Sequence, residues 1–292
     1  MFKRKQNLKG IPLGQKQLWY LFTILIIINI FIITGFIFKS NKTYKTNIMP
    51  ITKVKENILF FSKDYKVKEE LQIPVLIYHQ VRDYKNTDLK NSRDYIISKE
   101  NLDKQLKYLK DNNYNSILIS DLDLYFGGEK EMPKKPVIIT FDDGVKNQYD
   151  NGFEVLKKYN FVATFFIFTN PISKSENYMT WDNLKELIKN GNEIGSHTIY
   201  HPFLTKIDSI RLKDEVVRSK RILEEKLGIE VKSIAYPFGL YNDEILDLTK
   251  NAGYKIGRGI NHGKIHTQEK LLKLNGYFSI NDFNYFLNII ER

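Results

Sequence analysis

The stretch Pro136-Val137-Ile138-Ile139-Thr140-Phe141-Asp142-Asp143-Gly144 decides the fold. It is an apolar, β-branched run that ends abruptly on two carboxylates and a glycine, as a buried strand does where it leaves the core. Runs of the same kind recur on either side: IPVLIYH (73–79), SILI (116–119), VATFFIF (162–168), EIGSH (193–197) and VKSIAYP (231–237). Between them apolar residues return at helical spacing. Leu102, Leu106 and Leu109 do so in 100–112, and Phe153, Val155 and Leu156 cluster in 146–159. The stretches 182–189, 206–227 and 243–251 read likewise. Apolar strands alternating with amphipathic helices predict an α/β fold, a mostly parallel sheet covered by helices. A (β/α) barrel and an open doubly wound sheet both satisfy this string.

Upstream of the fold the character changes. Residues 1–17 form a basic, polar tail, and 18–38 (LWYLFTILIIINIFIITGFIF) carry no charge at all. As a helix that segment would be roughly 31 Å long, the thickness of a bilayer core, and a buried soluble helix seldom lacks a polar face over such a length. It is too long for the apolar core of a cleaved secretory signal and has no A-x-A-like site, so an uncleaved anchor is expected. Lysines flank it on both sides, so charge does not orient it. Residues 39–70 read as a polar, Lys-rich linker with one apolar patch, ILFF at 58–61, which leaves 71–292 as the main domain.

The chain of 292 residues has a net charge of +11, but the distribution matters more. Residues 1–50 hold eight Lys/Arg and no acid, which leaves 37 basic residues against 34 acidic ones. A main domain so close to neutral gives no support to electrostatic nucleic-acid binding. With no cysteine there is no disulfide, thiolate metal site or cysteine nucleophile.

Polar residues fall at telling positions. His79 ends its strand-like run, Asp142 and Asp143 end theirs, and His197 ends EIGSH with His201 four residues on. Tyr236-Pro237-Phe238-Gly239 ends the run at 231–237. In parallel α/β folds the C-terminal ends of strands gather at one face, where sites are built. Each residue has a plainer reading. Asp143-Gly144 could be a helix-capping turn, His79 a hydrogen-bonded core histidine, and a His-x3-His spacing occurs by chance. Together, a carboxylate and two imidazoles form a familiar ligand set for a divalent metal with open coordination positions.

TFDDG (140–144), SHTIYH (196–201) and AYPFG (235–239) resemble the successive motifs of the polysaccharide deacetylases, the NodB-homology or carbohydrate esterase family 4 domain. The resemblance covers most of 72–260. It implies a distorted (β/α) barrel, a divalent metal, usually zinc, held by Asp143, His197 and His201, and Asp142 as general base. Two departures stand out. The third motif usually has an Arg before its Pro, where this chain has Tyr236, and the usual C-terminal Leu-x-His is missing. Both resemble the branch of poly-β-1,6-N-acetylglucosamine N-deacetylases of biofilm formation, the intercellular adhesion protein B type. There a histidine in a Tyr-His-x-Val context near the domain's N-terminus is the general acid. Tyr78-His79-Gln80-Val81 matches it, so His79 is expected to be the acid, with His262 and His266 as fallback.

The expected chemistry is hydrolysis of an N-acetyl amide on an N-acetylglucosamine polymer outside the cell, by a domain held at the membrane, where synthase machinery is a possible partner. Asp142 accepts a proton from water and His79 donates one to the leaving amine. The Tyr236 amide is expected to contact the oxyanion, with Pro237 holding the turn. Tyr236, Phe238 and Trp181 are candidate sugar walls; Trp181 could equally be a packing residue, and Asp182 could orient a catalytic imidazole but reads rather as a helix cap. Peptidoglycan or chitooligosaccharide is the alternative substrate, and a membrane-anchored glycan-binding protein with an inactive site is the alternative of another class. A glycoside hydrolase using Asp142 and Asp143 is disfavoured, since that chemistry places carboxyls about 5–9.5 Å apart across the bond.

Overall fold

The computed structural model describes residues 67–291. The expected tail, anchor and nearly all of the linker lie outside them, and no helix among the described residues is long and apolar enough to cross a membrane. In chain order the elements are β1 (Glu70–Gln72), β2 (Val75–Tyr78), β3 (Gln80–Val81), β4 (Ile96–Ile97), α1 (Lys99–Asp111), β5 (Asn115–Ile117), α2 (Asp121–Phe126) and β6 (Pro136–Asp143). A wide π turn (Gln148–Phe153) runs into α3 (Glu154–Tyr159), followed by β7 (Thr164–Ile167), α4 (Trp181–Lys189) and β8 (Glu193–Ser196). A second π turn (Asp214–Arg218) joins α5 (Ser209–Lys213) to α6 (Ser219–Leu227). Then come β9 (Ser233–Ala235), α7 (Asp243–Asn251), β10 (Ile256–Arg258), β11 (Ile265–Thr267), β12 (Tyr277–Phe278) and α8 (Phe283–Glu291).

All six strand-like runs are strands, and they lie parallel in one curled eight-stranded sheet of order β10-β9-β8-β7-β6-β2-β12. β5 pairs with the opening of β6 (Pro136–Ile138) and β7 with its close (Thr140–Asp143). The curl brings the two edges towards one short segment. Leu274 exchanges backbone bonds with Gly257 and Gly259 beside β10, while Tyr277 and Phe278 pair with β2. The result is a half-barrel of the (β/α) kind, not a flat doubly wound sheet. β1 pairs with β11 apart from it.

Side chains alternate across the strands, and each face has its own packing. Val137, Ile139 and Phe141 of β6 join the cluster under the helices, with Leu106, Leu156 and Leu184. Ile138 faces the concave interior with Val75, Phe166, Ala235 and Ile256. That interior is crowded: a Cβ on Gly195 would sit 2.6 Å from both the Phe166 ring and Ser233 Oγ, so only glycine fits. The same parity carries Thr140 and Asp142, Arg258, and His79 and His197 beyond their strand ends, towards the interior at its upper rim. The sequence therefore sets an apolar layer inside the sheet and a polar one at its C-terminal mouth.

Candidate active site

Asp142 and Asp143 are consecutive, and in a regular strand they would face opposite ways. Asp143 breaks the alternation with φ +81°, followed by Gly144 at +74°, and both carboxylates reach the same mouth. A positive φ is strained for a non-glycine residue, and Thr198 (+72°), His201 (+56°) and Phe238 (+58°) share it around this site. The loop after β8 is held in that shape by its own polar groups. Ser196 Oγ accepts from the Thr198 amide at 3.2 Å, and Thr198 Oγ1 accepts from the His201 amide at 3.1 Å. Glu215, buried on the second π turn, accepts from the amides of Ile199 (2.8 Å) and Tyr200 (3.0 Å).

One oxygen of Asp143 lies 3.7 Å from His197 Nε2 and 3.7 Å from His201 Nε2, and one donor atom from each residue falls within 4.8 Å of the others. His197 Nδ1 lies 2.7 Å from the Ala235 carbonyl. Burial pushes the His197 imidazole down to about 4, against the opposing pull of Asp142 and Asp143, and burial lowers His201 as well. Both rings are therefore neutral at pH 7. His197 then donates its Nδ1 hydrogen to Ala235, and its Nε2 lone pair faces the carboxylate. Two lone pairs turned towards each other without a hydrogen between them are repulsive unless a cation joins them. Zinc-like bonds of about 2.0–2.2 Å set tetrahedral ligand atoms roughly 3.4 Å apart, so the donor set fits a divalent metal. The expected trio is brought together.

Asp142 sits beside this cluster, nearly buried, with both oxygens 2.6 Å from the Arg258 Nη2. Burial alone would raise its carboxyl. The Arg258 guanidinium, helped by His197 and His79, outweighs burial and holds it below the usual carboxylate range. His79 Nε2 is 3.8 Å from Asp142 Oδ2, and its ring is stacked on Phe278 and meets the edge of Tyr95. The fallback histidines are elsewhere. His262 is exposed and stacks on Tyr277, while His266 is buried in β11 against the Ile73 carbonyl.

Expectations about Tyr236 and Asp182 are corrected, and Trp181 takes its alternative, packing role. The Tyr236 amide donates to Arg258 O in the β9–β10 ladder at 2.9 Å, so it is not available to an oxyanion. Its ring points to the helix side because Ala235 takes the interior position, and its hydroxyl donates to Leu272 O. Trp181 packs against the core under α4, and Asp182 is solvent-exposed and does not cap the helix, since Thr180 and Asn183 form the capping box. Phe238 keeps its place: its ring is 4.6 Å from that of His201, is 41% exposed, and stacks on Phe203 at 3.9 Å. Pro237 opens the turn at the first position of a short helical turn, where its missing N–H costs nothing.

Arg258 and Glu215 were not foreseen. Arg258 lies on a three-residue strand too short to register as a run, although Ile256 and Arg258 do share one face of it. Glu215 sits within a helix, where a buried carboxylate leaves no pattern.

The family model for polysaccharide deacetylase matches residues 129–257. A poly-β-1,6-N-acetyl-D-glucosamine N-deacetylase of Staphylococcus aureus is 30% identical over 217 residues, 67% of this chain and 74% of that one. Among solved structures, a Streptococcus pyogenes deacetylase, PplD, in complex with acetate superposes with a TM-score of 0.69 at 28% identity, covering 76% of this chain and 99% of the other. A Bacillus cereus polysaccharide deacetylase gives 0.67 at 29%, covering 76% and 69%. Similarity of this extent, over the strands that carry the carboxylates and imidazoles, shows that the chain belongs to the polysaccharide deacetylase family.

Proposed function

We propose that the protein is a metal-dependent N-deacetylase of an extracellular N-acetylglucosamine polymer, poly-β-1,6-N-acetylglucosamine, with zinc as its metal. The single observation that carries the reaction is the mouth of the half-barrel. Three convergent metal-ligand atoms stand there beside a buried carboxylate kept ionised by Arg258 and an imidazole 3.8 Å from that carboxylate. The polymer reading rests on the Tyr78-His79-Gln80-Val81 context and on the similarity to the staphylococcal enzyme. With 18–38 read as an anchor, an extracellular polymer as substrate would put the domain at the outer face of the cell membrane, where an extruded polymer, and its synthase machinery, would be met.

Asp143, His197 and His201 would hold the ion, which, when bound, supplies Lewis acidity for the acetyl carbonyl and for water. Asp142, ionised and aimed at the same space, takes a proton from the attacking water. His79, as imidazolium, delivers a proton to the glucosamine nitrogen as the C–N bond breaks, and acetate and a free amine result. Within the turn after β9, the amides of Tyr236, Gly239 and Leu240 are bonded to backbone carbonyls and Pro237 has none. That leaves the Phe238 amide as the turn's candidate oxyanion donor. Exposed aromatic rings flank the mouth, with Tyr95 beside His79 and the Phe203–Phe238 pair beside His201. Apolar faces on both sides suit the flat faces of neighbouring sugars in a polymer.

The test is to incubate zinc-loaded protein with β-1,6- and β-1,4-linked N-acetylglucosamine oligomers, with and without chelator, and to follow acetyl loss by mass spectrometry. Chelator-sensitive loss from the β-1,6 oligomer alone is the expected result. Loss only from β-1,4 oligomers would keep the mechanism and move the substrate towards peptidoglycan or chitin-like glycans. No loss from either would favour a glycan-binding protein.

A further inference from the structure

The β2–β6 ladder runs from Val75 opposite Ile138 to Tyr78 opposite Phe141 and stops there. The next residues on the two strands are His79 and Asp142. Beyond the last rung, one nitrogen takes over: Gln148 Nε2 donates to His79 O at 2.7 Å and also to Asp142 O. A carboxamide nitrogen carries two hydrogens, so both are committed to the backbone of these two residues. Gln148 is fully buried, and among the described residues its Oε1 has no protein partner. Its neighbours act on the same segment. Asn147 Oδ1 accepts from the Val81 amide at 2.8 Å, and Asn151 Nδ2 donates to Val81 O at 2.7 Å. The grip comes from the first π turn, as the grip of Glu215 on the His201 loop comes from the second. Such turns are frequent at functional sites because they re-aim side chains out of helical register.

We infer that Gln148 is a positioning residue: its amide nitrogen serves as a substitute rung that keeps the His79 segment in register with the Asp142 strand. The His79 Nε2–Asp142 Oδ2 separation of 3.8 Å depends on it. The inference rests on the acid and base roles proposed above. Without the rung, two like-signed carbonyls face each other at the end of the ladder, and the His79 segment is free to shift. Proton transfer tolerates little of that, since misplacement by about 1 Å can cost on the order of 10²-fold in rate.

The experiment uses the full-length zinc-loaded protein and Gln148→Met, which keeps the side chain's length and removes both donors and the orphan acceptor. Zinc stoichiometry, KM and kcat are measured on the N-acetylglucosamine oligomer that the wild type deacetylates. The expected result is unchanged zinc, KM within about twofold and kcat lower by about 10²-fold. In a His79→Ala background the same change should cost less than about threefold, because no acid remains to be positioned. Gln148→Asn, one methylene too short to span both carbonyls, should match Gln148→Met and replaces it if the latter does not accumulate folded. Wild-type kcat in the variant would overturn the inference. So would an equal loss in both backgrounds, or zinc lost together with kcat, since either marks a purely structural residue. An inactive wild type would instead defeat the deacetylase reading itself, and is distinguishable from all of these.

Discussion

Replacing Arg258 with Met strands the Asp142 carboxylate. Both partners are nearly buried, and one guanidinium nitrogen stands 2.6 Å from each carboxylate oxygen. With charge centres roughly 4 Å apart and an effective dielectric of about 20, their attraction is about 4 kcal/mol. Breaking a buried pair from one side typically costs about 3–5 kcal/mol, which agrees. For a domain of this size that is a fall in Tm of roughly 6–20 °C at neutral pH. The pH dependence reverses as well. In the wild type the carboxyl is held below its ordinary value, so its contribution is present above that value and is lost as pH falls through the folded one. In Arg258→Met burial is no longer outweighed, so the folded carboxyl lies above its unfolded value. Stability is then retained in acid and lost as pH rises through the raised folded value. Melting curves of the metal-free protein from about pH 5 to 8 read this directly, with a deficit that widens with pH. Turnover at neutral pH should fall by on the order of 10²–10⁴, as for loss of a general base. Adding Asp142→Asn to Arg258→Met should recover most of the stability and none of the turnover. A variant as stable as the wild type at pH 8, or a deficit that does not change with pH, would refute the argument.

Other outcomes follow from the same geometry. His201→Ala should lower zinc occupancy measured by metal analysis, and Glu215→Ala, which frees the Ile199 and Tyr200 amides, should weaken zinc about 10–100-fold; undisturbed affinity in both would remove the proposed metal site. His79→Ala should leave zinc bound and abolish most turnover, while His262→Ala should match the wild type; the reverse pattern would move the acid to the exposed loop. His266 is buried and bonded to Ile73, and burial lowers its imidazole below the ordinary value. The unfolded chain therefore binds more protons as pH falls through the ordinary imidazole range, and stability declines from there towards the folded value. His266→Gln should flatten that decline between about pH 7 and 5 in thermal melts, and an unchanged slope would count against it.

What the sequence made legible was whatever repeats or ends a run. PVIITFDDG and its five companions are long enough for composition to show them as strands, and the residues at their ends were open to reading for that reason. Arg258 escaped because β10 is three residues long and its partner Asp142 lies far away in sequence. The side that Tyr236 faces is illegible for a different reason. Alternation along β9 sends Ala235 inward and Tyr236 out to the helices, and which parity faces the interior depends on how the sheet curls. The convergence of Asp142 and Asp143 depends on a left-handed backbone at Asp143, which a motif signals but spacing does not explain.

The closure of the half-barrel has a consequence for biosynthesis. β2, which leads into His79, gains its second neighbour only from β12, and the pair that joins them, Leu76 and Tyr277, stands at opposite ends of the domain's sequence. The His79 ring rests on Phe278 of that same late strand. The strands that carry Asp142, Asp143 and His197, and the turn that carries Phe238, all leave the ribosome earlier. A nascent chain would therefore have its proposed ion-binding residues and proton acceptor gathered before its proposed proton donor is seated, because contacts between distant parts of a sequence form late. Until the strand at Tyr277–Phe278 docks, such a molecule could capture the ion without being able to release product. The order of synthesis would thus complete the proposed metal site before it seats the proposed acid.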